Sequence, residues 1–529
     1  MHALYSNSTE TQAPFAAARA LLADTARQLG SGELMHATHD QVEQFAVGQG
    51  RAIVQLLLRD HFALRAQAEP VGPVVGFEGR ERTHRRDDCK RTLHTTVGPV
   101  PIARTAFSGR ELGALHPVDA ALNLPADSYS FELAKRVAET AAEVSFERAG
   151  TQVEAFTGVR VGLRQVEQLT QSAAKDFDGF YGSERSVPTP PNAADMLVMT
   201  SDHKGVVMRK EALREGTRER AETAVHTLQT RLTKGEKRDR KRMATVAAVY
   251  TVGPHVRSAA DVIAGLRRLR DVERVQRTRP PKPQGKRVWA SVVDDLDLVV
   301  AQKFDEAERR DPDHRLRWLA LVDGELRLER AIRAEAKRRG VEVTLVLDFI
   351  HALEYLWKAG HALHAEGTPE LEAWVLDRLE LLLKGKVSDV AAGMRRSATK
   401  RGLSAKDRKP IDTAANYLLK RKDMMPYGEL LALGAPIASG VIEGTCRSLV
   451  NDRLDLTGAR WSVQGAEAVL RLRAIIRSGD WDEYWAFHTR AEYAANHAPA
   501  YARCAPPEVL ISKGRQHLRL VRSGGEVSL

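Results

Sequence analysis

The sequence predicts a multidomain protein of the α+β or α/β class, in which a mixed sheet flanked by helices follows a mostly helical N-terminal region. The chain of 529 residues is longer than a single hydrophobic core usually supports. After residue 195, apolar runs of strand length alternate with helical segments. From about 352 to 435 the pattern is helical only, which predicts a separate helical domain inside the second half.

Composition limits the classes of function. The net charge of +11 at pH 7 indicates a polyanionic partner, with nucleic acid the first candidate. No apolar run reaches the roughly 18 residues that a membrane span needs, and the N-terminus lacks a signal pattern. We therefore expect a cytoplasmic protein with no membrane partner. The three cysteines are too few and too far apart for a disulfide framework or a zinc ribbon.

The first 186 residues divide into three regions by composition. Residues 1–70 are rich in Ala, Leu and Gln and predict an N-terminal helical region. Residues 71–125 contain β-branched residues punctuated by Gly and Pro, which predicts a small segment of strands and turns. Residues 126–186 are again helical, and 144–156, a turn at 157–159 and a helix from 163 form a helix-turn-helix pattern. Because many packed helix pairs share this pattern, DNA contact and simple packing remain equally good interpretations.

A proline-rich segment, VPTPPN, predicts a linker over 187–195. Beyond it, 206–209 is a candidate hairpin partner for the first of four apolar runs. These runs, which we predict to be buried strands, are 196–200, 243–252, 318–322 and 341–347. The first, third and fourth are followed by Asp202, Asp323 and Asp348.

The aspartates at strand ends suggest a cation site. Side chains at the carboxyl end of a buried strand open into the crevice where α/β proteins bind ligands, and Asp202 and Asp323 are both placed there. Two carboxylates brought together repel each other unless they are protonated or bound to cations. With a third carboxylate they would form a hard oxygen site suited to Mg²⁺, and two such ions support phosphoryl transfer. Taken singly, each aspartate is better explained as a local structural residue, since Asp is common at strand ends and Asp323-Gly324 alone is also a turn signal.

A third carboxylate, Glu443, lies in the stretch 438–461, ASGVIEGTCRSLVNDRLDLTGARW. A helix starting at Ser439 would turn Glu443 toward the elements against which Val441 and Ile442 pack. Acidic side chains are rarely buried without a partner. The sequence therefore predicts that Glu443 faces a cation site.

Several long motifs in this order resemble a known family. The chain resembles the DDE transposases of the bacterial insertion-sequence group called the ISKra type, which are relatives of the Mutator-like transposases. The resemblance is densest from about 195 to 495. Besides 438–461, its motifs are SDHKGVVMR (201–209), KRMATVAAVYTV (241–252), WLALVDGE (318–325), LVLDFIHALEYLWKAGHALH (345–364) and AEAVLRLRAIIRSGDWDEYW (466–485).

The resemblance implies an RNase H-like catalytic core over 196–351 and 436–490, with an all-helical insertion domain over 352–435. It implies a catalytic and metal-binding triad of Asp202, Asp323 and Glu443 that holds Mg²⁺ or Mn²⁺, with two ions expected. Asp348 and His351 match a Cys/Asp-x-x-His motif downstream of the second aspartate, which implies supporting roles. For His351, a structural role at the start of a helix is an equally good interpretation.

The implied activity is metal-dependent DNA cleavage and strand transfer at the ends of an insertion sequence. The implied partners are the terminal inverted repeats, the target DNA and further copies of the chain in a synaptic complex. The protein would act in a bacterial cytoplasm, associated with the nucleoid when bound to DNA. An RNase H-like nuclease such as a resolvase, and a domesticated DNA-binding regulator without catalysis, remain alternatives.

Basic segments are candidates for DNA contact. The run 231–242, RLTKGEKRDRKR, has seven Lys or Arg against two acids, and a basic C-terminal tail is predicted over 491–529. A solvated surface explains the basic run equally well, and a core role is at least as good an interpretation for Trp461. The individual candidates are Lys237, Arg238, Arg240, Lys241, Arg242, Arg453, Arg460 and Trp461.

Overall fold

The structure is a computed structural model of the chain. It describes residues 13–185, 194–224, 240–266, 279–456 and 458–511, with the single residues 192, 227, 228, 230, 231, 233 and 236. The chain divides into two compact units. The first unit is Met1–Asp176 with Asp482–Leu529, and the second unit is Phe177–Trp481. This division precedes the predicted linker 187–195, of which 187–191 and 193 lie outside the described residues.

The described residues form strands that we number in chain order. They are β1 (Ala68–Pro70), β2 (His84–Thr95), β3 (Gly98–Gly109), β4 (Leu112–Leu115), β5 (Met196–Val207), β6 (Lys241–Val252), β7 (Gln284–Ser291), β8 (Arg317–Val322), β9 (Val343–Leu347) and β10 (Val509–Ile511).

The first unit combines helices with two small sheets. Strands β2, β3 and β4 form one antiparallel sheet, which confirms strands and turns within 71–125. Strand β10 pairs antiparallel with β1. Part of the predicted tail 491–529 is therefore folded into this unit, and 512–529 lie outside the described residues. The helices of this unit are Ala16–Leu29, His39–Ala66, Pro117–Ala121, Phe131–Glu143, Phe146–Thr157, Leu163–Ala173 and, from Asp482 on, Trp481–Asn496.

The predicted helix-turn-helix is confirmed as a local structure. Helix Phe146–Thr157 ends at Gly158, whose φ of 72° lies in the left-handed region that glycine adopts without strain. Helix Leu163–Ala173 follows, and both helices pack with Phe131–Glu143 around a shared apolar core. A Cβ on Gly150 would lie 3.1 Å from the carbonyl oxygen of Val161, so the first helix contacts the turn closely.

The second unit contains a five-stranded mixed sheet in the order β7-β6-β5-β8-β9. Strands β7, β6 and β5 are antiparallel neighbours, whereas β5, β8 and β9 run parallel. Helices flank this sheet, so the predicted class of a mixed sheet with helices is confirmed. The helices are Phe177–Gly182, Glu215–Glu222, Ala259–Leu266, Leu296–Arg310, Leu326–Arg339, Phe349–Gly360, Pro369–Leu383, Val387–Lys400, Ala405–Lys420, Tyr427–Ala432, Gly440–Thr445, Asp452–Leu454 and Val463–Ser478.

The strand predictions after residue 195 are right for three strands and wrong for one. Strands β6, β8 and β9 match the predicted runs within two residues at each end. The prediction that the first strand ends before Asp202 is wrong. The prediction that 206–209 forms a separate hairpin partner of this strand is also wrong. Strand β5 is one continuous strand, because its whole length pairs with β6 from Met196↔Val252 to Val207↔Lys241. Strand β7 was not predicted.

The segment 352–435 contains helices and turns and no strand, as its pattern predicts, and every residue in it is described. Its first helix, Phe349–Gly360, begins directly after β9. Its last, Tyr427–Ala432, leads back toward the helix that carries Glu443. None of the described helices combines the length and the apolar character that a membrane crossing requires.

Candidate functional site

Asp202 and Asp323 lie at the same level of two neighbouring parallel strands. The pairing of β5 with β8 runs from Met196↔Arg317 to Thr200↔Leu321. Asp202 is two residues beyond Thr200, and Asp323 is two residues beyond Leu321, so the same register brings the aspartates opposite each other. Strands in a sheet are roughly 4.8 Å apart and opposite residues point to the same face. Continued by two residues, this register brings the turn residue Asp323 to the level of Asp202, at the point where β8 ends and β5 continues, and both aspartates are half-buried.

Asp348 occupies the corresponding position on β9, but its environment differs. The register Val322↔Leu347 places Asp348 opposite Asp323. Asp348 is only 1 % exposed, and its oxygens accept from the Ile350 N–H at 2.8 Å and the Ser439 N–H at 2.9 Å. The Ser439 hydroxyl also donates to it. Asp348 thus caps helix Phe349–Gly360 and binds Ser439. Asp323 is half-buried, and one of its oxygens accepts from the Glu325 N–H at 2.8 Å.

Glu443 lies on the short helix Gly440–Thr445, which begins after Ser439 as predicted. The side chain of Glu443 is exposed, while Ile442 and Thr445 are buried. The prediction that Glu443 turns toward the elements against which Val441 and Ile442 pack is therefore wrong, because the helix buries Ile442 and exposes the glutamate. A Cβ on Gly444 would meet no atom within 4 Å, so the space beside Glu443 is open.

Cys446 links the helix of Glu443 to Asp202. Its thiol, 4 % exposed, donates to Oδ2 of Asp202 at 3.3 Å. Burial raises the pKa of Cys446, and the neighbouring Asp202 raises it further, so the thiol stays protonated and can donate. The charge of Glu443, three residues before Cys446, also contributes to the raised pKa of this thiol, so Glu443 lies near it.

A π-helical turn, Cys446–Asn451, follows the helix of Glu443. Its carbonyl groups are bound by the fully buried Arg473, whose Nε donates to Leu449 O at 2.9 Å. π-Helical turns inside helices often occur at functional sites, since they shift the side chains that follow. Here the turn is held by Arg473 from helix Val463–Ser478, which fixes the position of Cys446 beside β5.

Two candidate DNA contacts downstream of this turn belong to the core. Arg453 is 2 % exposed, and its guanidinium lies 4.8 Å from the ring centroid of Trp461. The Trp461 indole donates to Leu454 O at 3.0 Å, and its backbone N–H donates to Val207 O at 3.1 Å. The interpretation of Arg453 and Trp461 as DNA contacts does not fit this burial, because both stabilise the return of the chain to β5. Arg460, between them, is exposed.

The other basic candidates differ in their exposure and in the partners that their side chains already have. Lys237 and Arg238 lie outside the described residues. Arg240 is half-buried, and the exposed Lys241 forms an ion pair with Asp455 at 3.5 Å. Arg242 donates to Val292 O at 2.7 Å and to Ala212 O at 3.4 Å, so its side chain stabilises the loop after β7.

His351 lies in the first turn of helix Phe349–Gly360 and is half-buried. It follows the cap residue Asp348 by three positions, so one turn of helix brings the two residues of the motif to adjacent positions.

The three predicted ligands are not gathered to coordination distance. Among the described residues, one group of three has all its ligand atoms within 4.8 Å of one another, and it is a different one, Asp176, His488 and Glu492. One carboxylate oxygen of Asp202 accepts from the His203 N–H at 2.6 Å, and the other accepts from the Cys446 thiol. The donor set of two aspartates and an exposed glutamate still fits Mg²⁺, which binds few carboxylates and keeps several waters.

The group Asp176, His488 and Glu492 was missed by sequence reasoning. His488 Nδ1 lies 2.7 Å from Asp176, and Glu492 pairs with Lys175 and accepts from Asn496 at 2.6 Å. These contacts are those of a buried polar cluster in the first unit, in which each carboxylate already has a partner. Only the spacing of His488 and Glu492, one helical turn apart, was visible in the sequence.

A buried lysine lies behind the aspartates. Lys303, from helix Leu296–Arg310, is 1 % exposed and donates to the hydroxyl of Ser201, next to Asp202. Burial lowers the pKa of Lys303 to about 7. Because successive strand residues point to opposite faces, Lys303 and the Asp202 carboxylate lie on opposite sides of β5.

Comparison with models of protein families gives no match, and neither does comparison with curated proteins.

Proposed function

We propose that the chain is a DNA transposase with an RNase H-like catalytic core, which cuts and joins DNA at the ends of an insertion sequence. The observation that supports it best is the shared level of Asp202 and Asp323 on β5 and β8, with the helix of Glu443 against β5. The mixed strand order β7-β6-β5-β8-β9, followed by helices only over 352–435, agrees with the motif order that suggested this function.

In this proposal Asp202, Asp323 and Glu443 would hold Mg²⁺ or Mn²⁺. The bound metal would supply charge neutralisation and an activated oxygen nucleophile for phosphoryl transfer. The chain itself fixes Asp202 within a paired strand and presents Asp323 from the turn after β8. Glu443 is exposed on a helix that Ser439 and Asp348 anchor, so it can approach the aspartates from the open side.

Asp348 is assigned a supporting role in this proposal. Its carboxylate joins the start of helix Phe349–Gly360 to Ser439, the residue before the helix of Glu443. This carboxylate accepts three hydrogen bonds and is 1 % exposed, so a metal and its waters would reach it less easily than the half-buried Asp323. This difference favours Asp323 over Asp348 as the second member of the triad.

The helix-turn-helix of the first unit would bind the terminal repeats. Arg164, Gln168 and Gln171 are exposed on helix Leu163–Ala173 at spacings of four and three, which place them on one face. Arg and Gln are the side chains that pair with guanine and adenine edges in the major groove. Exposed Arg160, in the turn, would add a phosphate contact.

The test is nicking of DNA that carries the inverted repeats flanking the gene, by the full chain, with and without Mg²⁺. We expect nicking only with metal, and loss of nicking with retained binding in Asp202→Asn and Glu443→Gln. Repeat-specific binding without nicking under all metal conditions would favour the regulator without catalysis. Metal-dependent cutting of branched DNA, with no joining to a target, would favour a resolvase.

A further inference from the structure

The helical insertion reaches the turn that carries Asp323. The Tyr417 hydroxyl, from helix Ala405–Lys420, donates to the backbone carbonyl of Asp323 at 3.0 Å. Arg421, which ends that helix, donates to Gly324 O through Nε at 3.1 Å and Nη2 at 2.6 Å. Two successive carbonyl groups after β8 are therefore bound by side chains from a segment about 95 residues away in sequence.

The fit between the insertion and the turn is close. Gly324 has a φ of 91°, in the region that favours glycine. A Cβ at Gly324 would lie 2.5 Å from the Tyr417 hydroxyl oxygen and 2.8 Å from Arg421 Nε. The turn thus needs glycine both for its backbone conformation and for the approach of these two side chains.

The rings and cations around Tyr417 hold its side chain in place. Tyr417 stacks on Tyr355 with ring centroids 3.7 Å apart and an interplanar angle of 11°. The Arg421 guanidinium lies 4.1 Å from the Tyr417 centroid, and Lys358 Nζ lies 4.6 Å from that of Tyr355. Burial raises the pKa of Tyr417 to about 12, so its hydroxyl is a hydrogen-bond donor at neutral pH.

We propose that Tyr417 and Arg421 are positioning residues that fix the Asp323–Gly324 turn and thereby hold the Asp323 carboxylate at the level of Asp202. This inference rests on the proposed function, because it assigns the two residues to the metal site of that function. A carboxylate on a free turn would spend part of its time away from Asp202. The two side chains reduce that freedom, and metal affinity should increase as a result.

The decisive variant is Tyr417→Phe in the full chain, which removes the donor to Asp323 and keeps the ring stack. The matched control is Tyr355→Phe, which removes a hydroxyl from the other ring of the same stack. Metal binding is read directly by electron paramagnetic resonance of free Mn²⁺, with Asp202→Asn as the baseline for binding at other sites. The Mg²⁺ dependence of nicking is measured in parallel.

We expect Tyr417→Phe to weaken the Asp202-dependent Mn²⁺ binding about 3- to 10-fold, as the loss of one hydrogen bond implies. The Mg²⁺ concentration for half-maximal nicking should rise by the same factor, with the rate at saturating Mg²⁺ changed less than 2-fold. Arg421→Lys, which keeps the charge but not the two parallel N–H groups, should act in the same direction. Tyr355→Phe should bind Mn²⁺ like the wild type.

The inference alone would be overturned by unchanged Mn²⁺ binding in Tyr417→Phe, or by a rate loss in that variant that saturating Mg²⁺ leaves in place. Weakened binding in Tyr355→Phe equal to that in Tyr417→Phe would also overturn it, since the stack and not the donor would then matter. If wild-type Mn²⁺ binding equals that of Asp202→Asn, the proposed metal site itself fails, and the inference fails with it.

Discussion

Ser439 donates both its backbone N–H and its hydroxyl to one carboxylate oxygen of Asp348. This contact joins the end of β9 to the helix that carries Glu443, across the whole helical insertion. Replacing Asp348 by Ala would leave these buried donors without their acceptor, and each such loss costs roughly 1–3 kcal/mol. We expect Asp348→Ala to lower the free energy of unfolding by about 2–4 kcal/mol, measured by urea denaturation, with nicking reduced to a similar extent as the folded fraction.

Asp323→Asn should behave in the opposite way. The amide keeps an oxygen for the Glu325 N–H but loses the negative charge that metal binding requires. We expect nicking to be abolished while repeat binding and the urea midpoint stay within error of the wild type. Full nicking in Asp323→Asn, together with loss of nicking in Asp348→Asn at unchanged stability, would reverse the assignment of the second triad member.

Gly324→Ala tests how closely the insertion approaches the turn. The added Cβ meets Tyr417 and Arg421 and requires a positive φ, which costs of order 1–3 kcal/mol in a non-glycine residue. We expect nicking to fall at least 10-fold. Gly340→Ala is the control, because Gly340 also has a positive φ, 69°, yet a Cβ there meets no atom within 4 Å. Equal activity losses in the two variants would mean that backbone strain, not crowding, is responsible.

Lys303→Met should change the pH dependence of stability. The folded pKa of Lys303 is about 7 and that of an unfolded lysine is about 10.4, so between these values the unfolded state binds more protons. In this window the contribution of Lys303 to stability rises with pH, and below pH 7 its full penalty remains. We expect Lys303→Met to raise the midpoint of thermal unfolding at pH 6, by an amount that shrinks toward pH 10. A gain that does not vary with pH would contradict the assigned cause.

The double variant Gln168→Ala/Gln171→Ala tests base recognition by the first unit. Each side chain that reads a base contributes about 1–3 kcal/mol of discrimination. We therefore expect affinity for the terminal repeat to fall by about 10-fold or more, with binding to unrelated DNA unchanged at the same salt concentration. Gln44→Ala, an exposed glutamine on helix His39–Ala66, is the matched control for electrophoretic mobility shifts. A loss of equal size on unrelated DNA would indicate a general contact and not base recognition.

The strands β6, β8 and β9 could be predicted because they contain apolar runs with a clear end, which is Gly253-Pro254 after β6 and an aspartate after β8 and β9. The second half of β5 could not, since Ser201 to Gly205 are mostly polar or lack a side chain and resemble a loop. They form a strand because β6 continues beside them and supplies the hydrogen-bond partners. The local pattern of apolar residues does not predict that pairing.

The candidate site was predictable as a set of residues but not as an arrangement. Order along the chain identified Asp202, Asp323 and Glu443, and the register of β5 with β8 brings the two aspartates to one level. The burial of Asp348, the thiol of Cys446 beside Asp202 and the contact of Tyr417 with Asp323 depend on residues that are 91 to 244 positions apart. Contacts across such separations leave no periodic signal in a single sequence.

The continuous pairing of β5 with β6 gives the two aspartates unequal mobility. The residues before and after Asp202 on β5 are all paired with β6, so the main chain there is held along its length on the β6 side. Asp323 follows the last residue of β8 and depends on side chains of the insertion. In a hydrogen–deuterium exchange experiment, the amides of β5 near Asp202 that bond to β6 should exchange slowly, and that of Gly324 much faster. Ligands that engage the insertion would then slow exchange at Gly324 alone, which would make this amide a reporter of assembly.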